Sequence, residues 1–250
     1  MKVYFIGGGP GDPELLTIKA HRAISGADIV VYAGSLINPQ ILNNTRPGAE
    51  LLDSAAMTLE DVLAVFSRAR EKGKTVARVH SGDISLFSAA QEQMDWCREN
   101  GVDFEVIPGV SSYMAACASL NQELTLPGVS QTVVLTRMGG RTPVPEGEEL
   151  SNLAKIGATM VIFLSVHNIA EVAERLMEAY PPETPVAVVE KASWPEETIV
   201  RGTLQDIAER VKRAKIDRTA LIIVGRVLGA EYEKTRLYAA DFKHSYREGA

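Results

Sequence analysis

The chain has 250 residues, 46% hydrophobic and 23% charged, with 20 Gly and 12 Pro, the proportions of an ordinary globular protein with length enough for one large or two small domains. A formal charge of -6 without a basic block argues against nucleic-acid binding, and no apolar run approaches the roughly 18 residues of a membrane span or, at the N-terminus, a secretory signal core. Cys97 and Cys117 stand alone and the four histidines lack ligand-like spacing, so a disulfide scaffold or metal site is not expected and a cytoplasmic small-molecule or cofactor-dependent protein remains.

In chain order, residues 3–6 form a short apolar strand that runs into Gly-Gly-Gly-Pro-Gly-Asp at 7–12. A helix follows over 13–26, with Asp12 as N-cap, Pro13 in the first turn, and Leu16, Ala20, Ala23, Ile24 and Ala27 at helical spacing. Residues 28–32 read as a strand. Leu59, Val62, Leu63, Phe66 and Ala69 share one face of a helix over 59–72 that Gly73 stops. A strand at 75–79 leads into His80-Ser-Gly-Asp83, a helix spans 86–100, and a strand at 104–107 leads into Pro108-Gly109 and a small-residue helix over 110–120. Such alternation predicts a largely parallel sheet with helices on both faces.

Beyond Asn121 the pattern changes. Strands are expected at 132–136, 159–164, 186–190, 198–201 and 220–224, with helices over 169–177 and 204–214. The segments 186–190 and 198–201 leave no room for a crossover helix, so they predict an antiparallel pair and hence a mixed sheet. The expected organisation is two α/β domains, 1–121 and 122–250, with the tail 231–250 unassigned.

The loop at 7–12 sits where open α/β sheets bind ligands, at the carboxyl edge. It does not fit a dinucleotide: Asp12 and Glu14 stand where the two possible registers of G-x-G-x-x-G need glycine, and no acid follows the second strand for a ribose. A carboxylate there would also repel a pyrophosphate. Gly73-Lys-Thr75 lacks the upstream glycine of a P-loop, since position 68 is Arg. The plain alternative is a tight turn packing helix on strand. Ser81-Gly82-Asp83 and Pro108-Gly-Val-Ser-Ser112 fall at the same edge, and Asp83, Ser111 and Ser112 are also good N-caps in their own right. Together the three turns offer N–H groups, hydroxyls and a carboxylate, which suits a ligand such as S-adenosylmethionine with its ammonium, carboxylate, ribose and adenine.

These motifs, with Gln131-Thr-Val-Val-Leu-Thr-Arg137, Lys191-Ala-Ser-Trp-Pro195 and Ala220-Leu-Ile-Ile-Val-Gly225, resemble the tetrapyrrole methylases over residues 1–228, in that family's order. Tyr32-Ala-Gly-Ser-Leu36, Val79-His-Ser-Gly-Asp83 and the stretch 136–146 look most like its precorrin-4 carbon-11 branch, in cobalamin synthesis. One departure is Ile84, where many relatives have proline. The resemblance implies a two-domain fold with a mainly parallel N-terminal and a mixed C-terminal sheet, each flanked by helices, the active site in the cleft between them, and a homodimer. It implies S-adenosylmethionine as methyl donor, S-adenosylhomocysteine as product, and cofactor contacts from Pro10, Gly82, Asp83, Ile84, Ser111 and Ser112, then Phe163, Leu164, Ala192, Thr219, Ala220 and Leu221. Phe163 and Leu164 are equally readable as strand core.

Methyl transfer to an enamine-like ring carbon needs no covalent nucleophile, and positioning alone accounts for up to roughly 7–11 kcal/mol. The substrate carries many carboxylates, for which Arg137 and Arg141 are candidates, their alternative being solvated loop residues. Arg78 and His80 alternate on one strand and share a face; they are the candidate catalytic pair, with His80 a proton acceptor or relay, a hydrogen-bond partner of a substrate carboxylate, or a structural histidine. Trp194 is a site wall or a packing residue. Competing readings are the cobalt-bearing substrate, another corrin carbon, a non-catalytic binding module, and, least suited, a nucleotide oxidoreductase.

Overall fold

The computed structural model describes residues 1–140 and 142–247. The chain divides into two compact units, Met1–Ser119 with Lys191–Thr198, and Leu120–Glu190 with the chain from Ile199 onward. The first is built from β1 (Lys2–Gly7), α1 (Ile18–Gly26), β2 (Ile29–Tyr32), β3 (Glu50–Asp53), α2 (Leu59–Glu71), β4 (Val76–His80), α3 (Gln91–Glu99), β5 (Asp103–Ile107) and α4 (Ser112–Leu120). Its strands lie in the order β3-β2-β4-β1-β5, and every pair is parallel. Gly7 is opposite His80, and Ile6 opposite Ile107, so the carboxyl ends of β4, β1 and β5 lie side by side.

Both faces of this sheet are covered, as a run of Val, Ile and Phe in parallel strands demands. Val3, Phe5, Val31 and Val76 pack on one face with Phe66 of α2 and Cys97 of α3, while Ile6, Val30, Ala77 and Val79 pack on the other with Ala20 and Ile24 of α1. Phe5 is fully buried and meets Phe66 and Phe104 edge-on at 6.1 and 5.8 Å between ring centres, so truncating it to Ala would cost roughly 3–5 kcal/mol.

The second unit holds β6 (Val133–Arg137), α5 (Leu150–Ala154), β7 (Thr159–Phe163), α6 (Ile169–Met177), β8 (Pro185–Glu190), β9 (Thr198–Thr203), α7 (Ile207–Ala214) and β10 (Ala220–Val224). The order is β6-β7-β10-β8-β9, with β6 parallel to β7 and β10 antiparallel to both β7 and β8. The sheet is therefore mixed, and β8 and β9 are hydrogen-bonded neighbours. Met160, Ile162, Val188 and Ile222 face Val172 and Leu176 of α6 and Ile207 and Val211 of α7 in its core.

Local expectations change at several helix starts, α7 among them, which begins at Ile207 rather than 204. The helix over 13–26 is interrupted: Pro13–Leu15 is a single 3-10 turn capped by Asp12, Leu16 is extended, and Thr17 caps a new start by accepting from the Ala20 N–H. The helix over 86–100 begins only at Gln91, because Asp83 binds the Ser85 N–H and the Ser88 hydroxyl donates to the Ile84 carbonyl, local bonds that compete with helix. Helix α4 starts at Ser112 rather than 110. The edge strand β3 and the five-residue α5 carry no sequence signal long enough to read.

Candidate active site

Three turns leave the carboxyl edge of the first sheet and lock together through backbone. The Gly8 N–H donates to the His80 carbonyl (2.7 Å), and Gly9 and Gly82 exchange two bonds, Gly9 N–H to Gly82 carbonyl at 3.1 Å and the reverse at 2.8 Å. The turn after β5 joins them at Gly109, whose N–H donates to Asp83 Oδ2 (2.8 Å). Side chains are excluded there. A Cβ on Gly109 would fall 2.3 Å from the Gly82 carbonyl oxygen, and one on Gly7 would fall 2.5 Å from the Gly109 nitrogen. Pro10, Gly82, Asp83, Ile84, Ser111 and Ser112 are thus brought to one edge. Ser112 begins α4; the Met114 and Ala115 N–H groups donate to the Ser111 carbonyl, while those of Ser112 and Tyr113, ahead of them, have no carbonyl within the helix to pair with.

The segment Lys191–Thr198 closes on the same loop. Trp194 Nε1 donates to the Pro10 carbonyl (2.9 Å), the Asp12 N–H donates to Ser193 Oγ (3.0 Å), and Glu197 Oε2 accepts from the Ser193 N–H and the Ser119 hydroxyl. Gly11 makes room for the indole: a Cβ there would sit 2.0 Å from Trp194 Nε1. Trp194 therefore packs on the glycine loop. Ala192 lies buried between Lys191 and Ser193, which both adopt left-handed backbone at φ 48° and 72°.

At the second sheet, the register of β7 against β10 and β6 brings Arg137, Phe163 and Leu164, and Thr219, Ala220 and Leu221 to a single edge, with Glu190 opposite Ala220. Leu164 is 58% exposed at φ 53°, and Thr219 adopts φ 49°. Left-handed backbone costs a non-glycine residue roughly 1–2 kcal/mol, and such strain clusters at ligand sites. Phe163 is buried. Arg137 organises its own loop: Nη1 donates to the Met138 and Thr142 carbonyls and Nη2 to the Pro143 carbonyl, and among the described residues Nε–H and one Nη2 hydrogen have no acceptor. Arg141 lies outside the described residues.

Arg78 and His80 share the face of β4 beneath residues 84–90, and both are buried, at 6% and 4% exposure. Arg78 Nε donates to Gln93 Oε1 (3.0 Å) and Nη1 reaches the Val31 and Val79 carbonyls, with no carboxylate partner among the described residues; burial pulls its pKa down to about 10. Burial, then the Arg78 charge, pull His80 down to about 3, partly opposed by the Ser88 backbone, and its Nε2 has no hydrogen-bond partner among the described residues. The imidazole is neutral at physiological pH. Burial pushes the Asp83 carboxyl up, but bonds from Ser85, Gly109 and Ile84 outweigh it and hold Asp83 below the usual carboxylate range. Burial also raises the Cys97 and Cys117 thiols to about 11, so neither is a thiolate nucleophile.

A cavity of about 480 Å³ opens beside Asp83, lined by Ile84, Phe87, Met94, Val106 and Pro108 among others. The described residues contain no group of three or more His, Cys, Asp or Glu that could hold a metal ion and no helix long and apolar enough to cross a membrane. Gln93 escaped sequence reading. Its signal is weak but present: it stands four residues before buried Cys97, a polar side chain on the apolar stripe of α3.

Comparison with known proteins places this geometry. The chain is 53% identical over 249 residues to a cobalt-precorrin-4 C(11)-methyltransferase of Methanocaldococcus jannaschii, covering 99% of this chain and 96% of that protein. It is 46% identical to a precorrin-4 C(11)-methyltransferase of Pseudomonas aeruginosa over the full length of both. Among solved structures, the X-ray structure of a cobalt precorrin-4 methyltransferase aligns with a TM-score of 0.89 at 43% identity, over 92% of this chain and 96% of that one. A uroporphyrin-III C-methyltransferase of Thermus thermophilus, in complex with S-adenosylhomocysteine, aligns with a TM-score of 0.77 at 29% identity, over 91% and 99%. Residues 2–208, which hold the whole first sheet and every strand of the second except β10, match a single family description, and on that match the chain belongs to the Tetrapyrrole (Corrin/Porphyrin) Methylases.

Proposed function

We propose that the chain transfers the methyl group of S-adenosylmethionine to ring carbon 11 of precorrin-4, metal-free or cobalt-bearing, to give the corresponding precorrin-5. The observation that carries this reading is end-to-end likeness to two relatives named for that reaction, one for each form of the substrate. The residues fit the cofactor. The glycine-walled edge admits close backbone approach, the Ser112 and Tyr113 N–H groups at the start of α4 suit a carboxylate, and the left-handed backbone of the exposed Leu164 and the half-buried Thr219 favours a ligand at the second sheet's edge.

When bound, S-adenosylmethionine supplies an electrophilic methyl on a positively charged sulfur. Pro10, Gly82, Asp83, Ile84, Ser111 and Ser112, with Phe163, Leu164, Ala192 and 219–221, hold it largely through backbone and orient it. Arg137, with Arg141, receives substrate carboxylates. The ring carbon is already nucleophilic, so positioning and exclusion of water carry the rate. A neutral, buried His80 with a pKa near 3 is too weak a base for proton abstraction at neutral pH and is assigned none. The proposed assembly is a cytoplasmic homodimer, readable by light scattering. The functional test is mass spectrometry after incubation with S-adenosylmethionine and either precorrin-4 or uroporphyrinogen III. One methyl gained on precorrin-4 and none on uroporphyrinogen supports the reading; the reverse moves the chain to another branch of its family.

A further inference from the structure

Residues 84–90 form the wall of the cavity beside Asp83, and they are an unusual piece of backbone. Phe87 and Ala89 both adopt left-handed conformations, at φ 52° and 51°, within three residues and without a glycine. Two such residues persist only where the surroundings over-determine them. Beneath them a chain of polar contacts runs from the core outward: Arg78 Nε donates to Gln93 Oε1 at 3.0 Å in a buried bond, and Gln93 Nε2 donates to the Ala89 carbonyl at 3.2 Å in a partly buried one. Because the guanidinium has donors only, it fixes the amide with its oxygen toward Arg78 and its NH₂ toward Ala89.

We infer that Arg78 and Gln93 are positioning residues, a buried strut that holds 84–90 in the strained shape presented to S-adenosylmethionine. The inference rests on the proposed cofactor site, to which Ile84 belongs. A guanidinium buried without a carboxylate is a costly way to fill a core, and apolar residues of similar volume would pack there more cheaply. Its depressed pKa reflects that cost. What apolar residues cannot do is aim a donor at the Ala89 carbonyl. The strut touches no reacting atom; it acts through the loop.

The deciding variant is Gln93→Glu. It is isosteric and gives Arg78 a carboxylate, so the core charge is better satisfied, but it removes the donor to Ala89. A role limited to satisfying Arg78 would be rescued by Glu, whereas a positioning role is lost. Expected for Q93E are a cooperative fold, hydrogen exchange at 84–90 faster by about tenfold, S-adenosylhomocysteine binding weakened about tenfold, and KM for S-adenosylmethionine raised with kcat at saturation within about twofold, the effect of one lost hydrogen bond. Should Q93E not fold, the apolar pair R78M/Q93L gives the same readouts. Wild-type exchange at 84–90 in a folded variant overturns the strut, and wild-type S-adenosylhomocysteine affinity despite faster exchange overturns its link to the cofactor. A wild-type protein that fails to bind S-adenosylhomocysteine refutes the cofactor site instead, and the exchange rates still decide whether the strut holds the loop.

Discussion

Replacing Gly109 by alanine tests how the glycine edge is built. The new Cβ would lie 2.3 Å from the Gly82 carbonyl oxygen and 2.7 Å from Gly7 Cα, both backbone atoms that cannot rotate away. Ordinary contact begins near 3.4 Å, so the turns after β1, β4 and β5 must part by about an ångström. Overpacking of this kind costs roughly 1–3 kcal/mol, and stretching the bond from the Gly109 N–H to Asp83 adds about 1.5–3 kcal/mol because the acceptor is charged. Against a typical stability of roughly 5–15 kcal/mol, the urea midpoint should fall by about 1–2 M, given the slope of about 3 kcal/mol/M that suits a chain of this size. Gly26→Ala is the matched control. That residue ends α1 with nothing within 4 Å of its missing Cβ, so alanine should stabilise by about 0.5–1 kcal/mol. Urea unfolding followed by circular dichroism, with calorimetric titration of S-adenosylhomocysteine, reads both. If G109A unfolds at the wild-type midpoint and binds within twofold of wild type, the interlocked edge is wrong.

Three further outcomes are expected. His80 has a folded-state pKa near 3, below the unfolded value near 6.5, so its contribution is whole above about pH 6.5 and drains away as pH falls toward 3. His80→Gln should therefore flatten the stability difference between pH 7 and pH 5 by about 2 kcal/mol in urea titrations, and an unchanged slope would mean the histidine titrates normally. Arg137→Lys cannot bridge the Met138, Thr142 and Pro143 carbonyls, so steady-state kinetics should show the tetrapyrrole KM rising by about tenfold; an unaltered KM would remove Arg137 from substrate binding. Leu164→Gly relieves left-handed strain and should raise stability by up to about 1 kcal/mol while weakening S-adenosylhomocysteine several-fold, and a loss of stability would show that φ 53° carries no strain there.

Periodicity made most of this fold legible. The helix over 169–177 and the strand over 220–224 coincide with α6 and β10, because a long apolar stripe and a continuous β-branched run have single readings. Short or internally bonded segments did not. The loop 84–90 has helical composition, yet Asp83 and Ser88 divert its backbone bonds, and β3, with acidic residues at both ends, carries no alternation that a four-residue window can separate from loop. At the site, sequence placed the turns at one edge but not what their polar residues hold. In sequence Asp83 reads as a ligand for an ammonium or a ribose, yet its carboxylate accepts from Ser85 and Gly109. Arg137 reads as a free guanidinium, yet it ties three carbonyls of its own loop. These partners lie within a turn or across the sheet edge, and only backbone geometry reveals them.

The most direct measurement is methyl transfer from S-adenosylmethionine carrying a ¹³C-labelled methyl group, with metal-free and cobalt-bearing precorrin-4 supplied in parallel and the product read by NMR. One labelled methyl at ring carbon 11 is the expected product, with the faster substrate defining which form the enzyme uses. Label at a different ring carbon, or no transfer to either substrate by protein that binds S-adenosylhomocysteine, would contradict the proposed reaction.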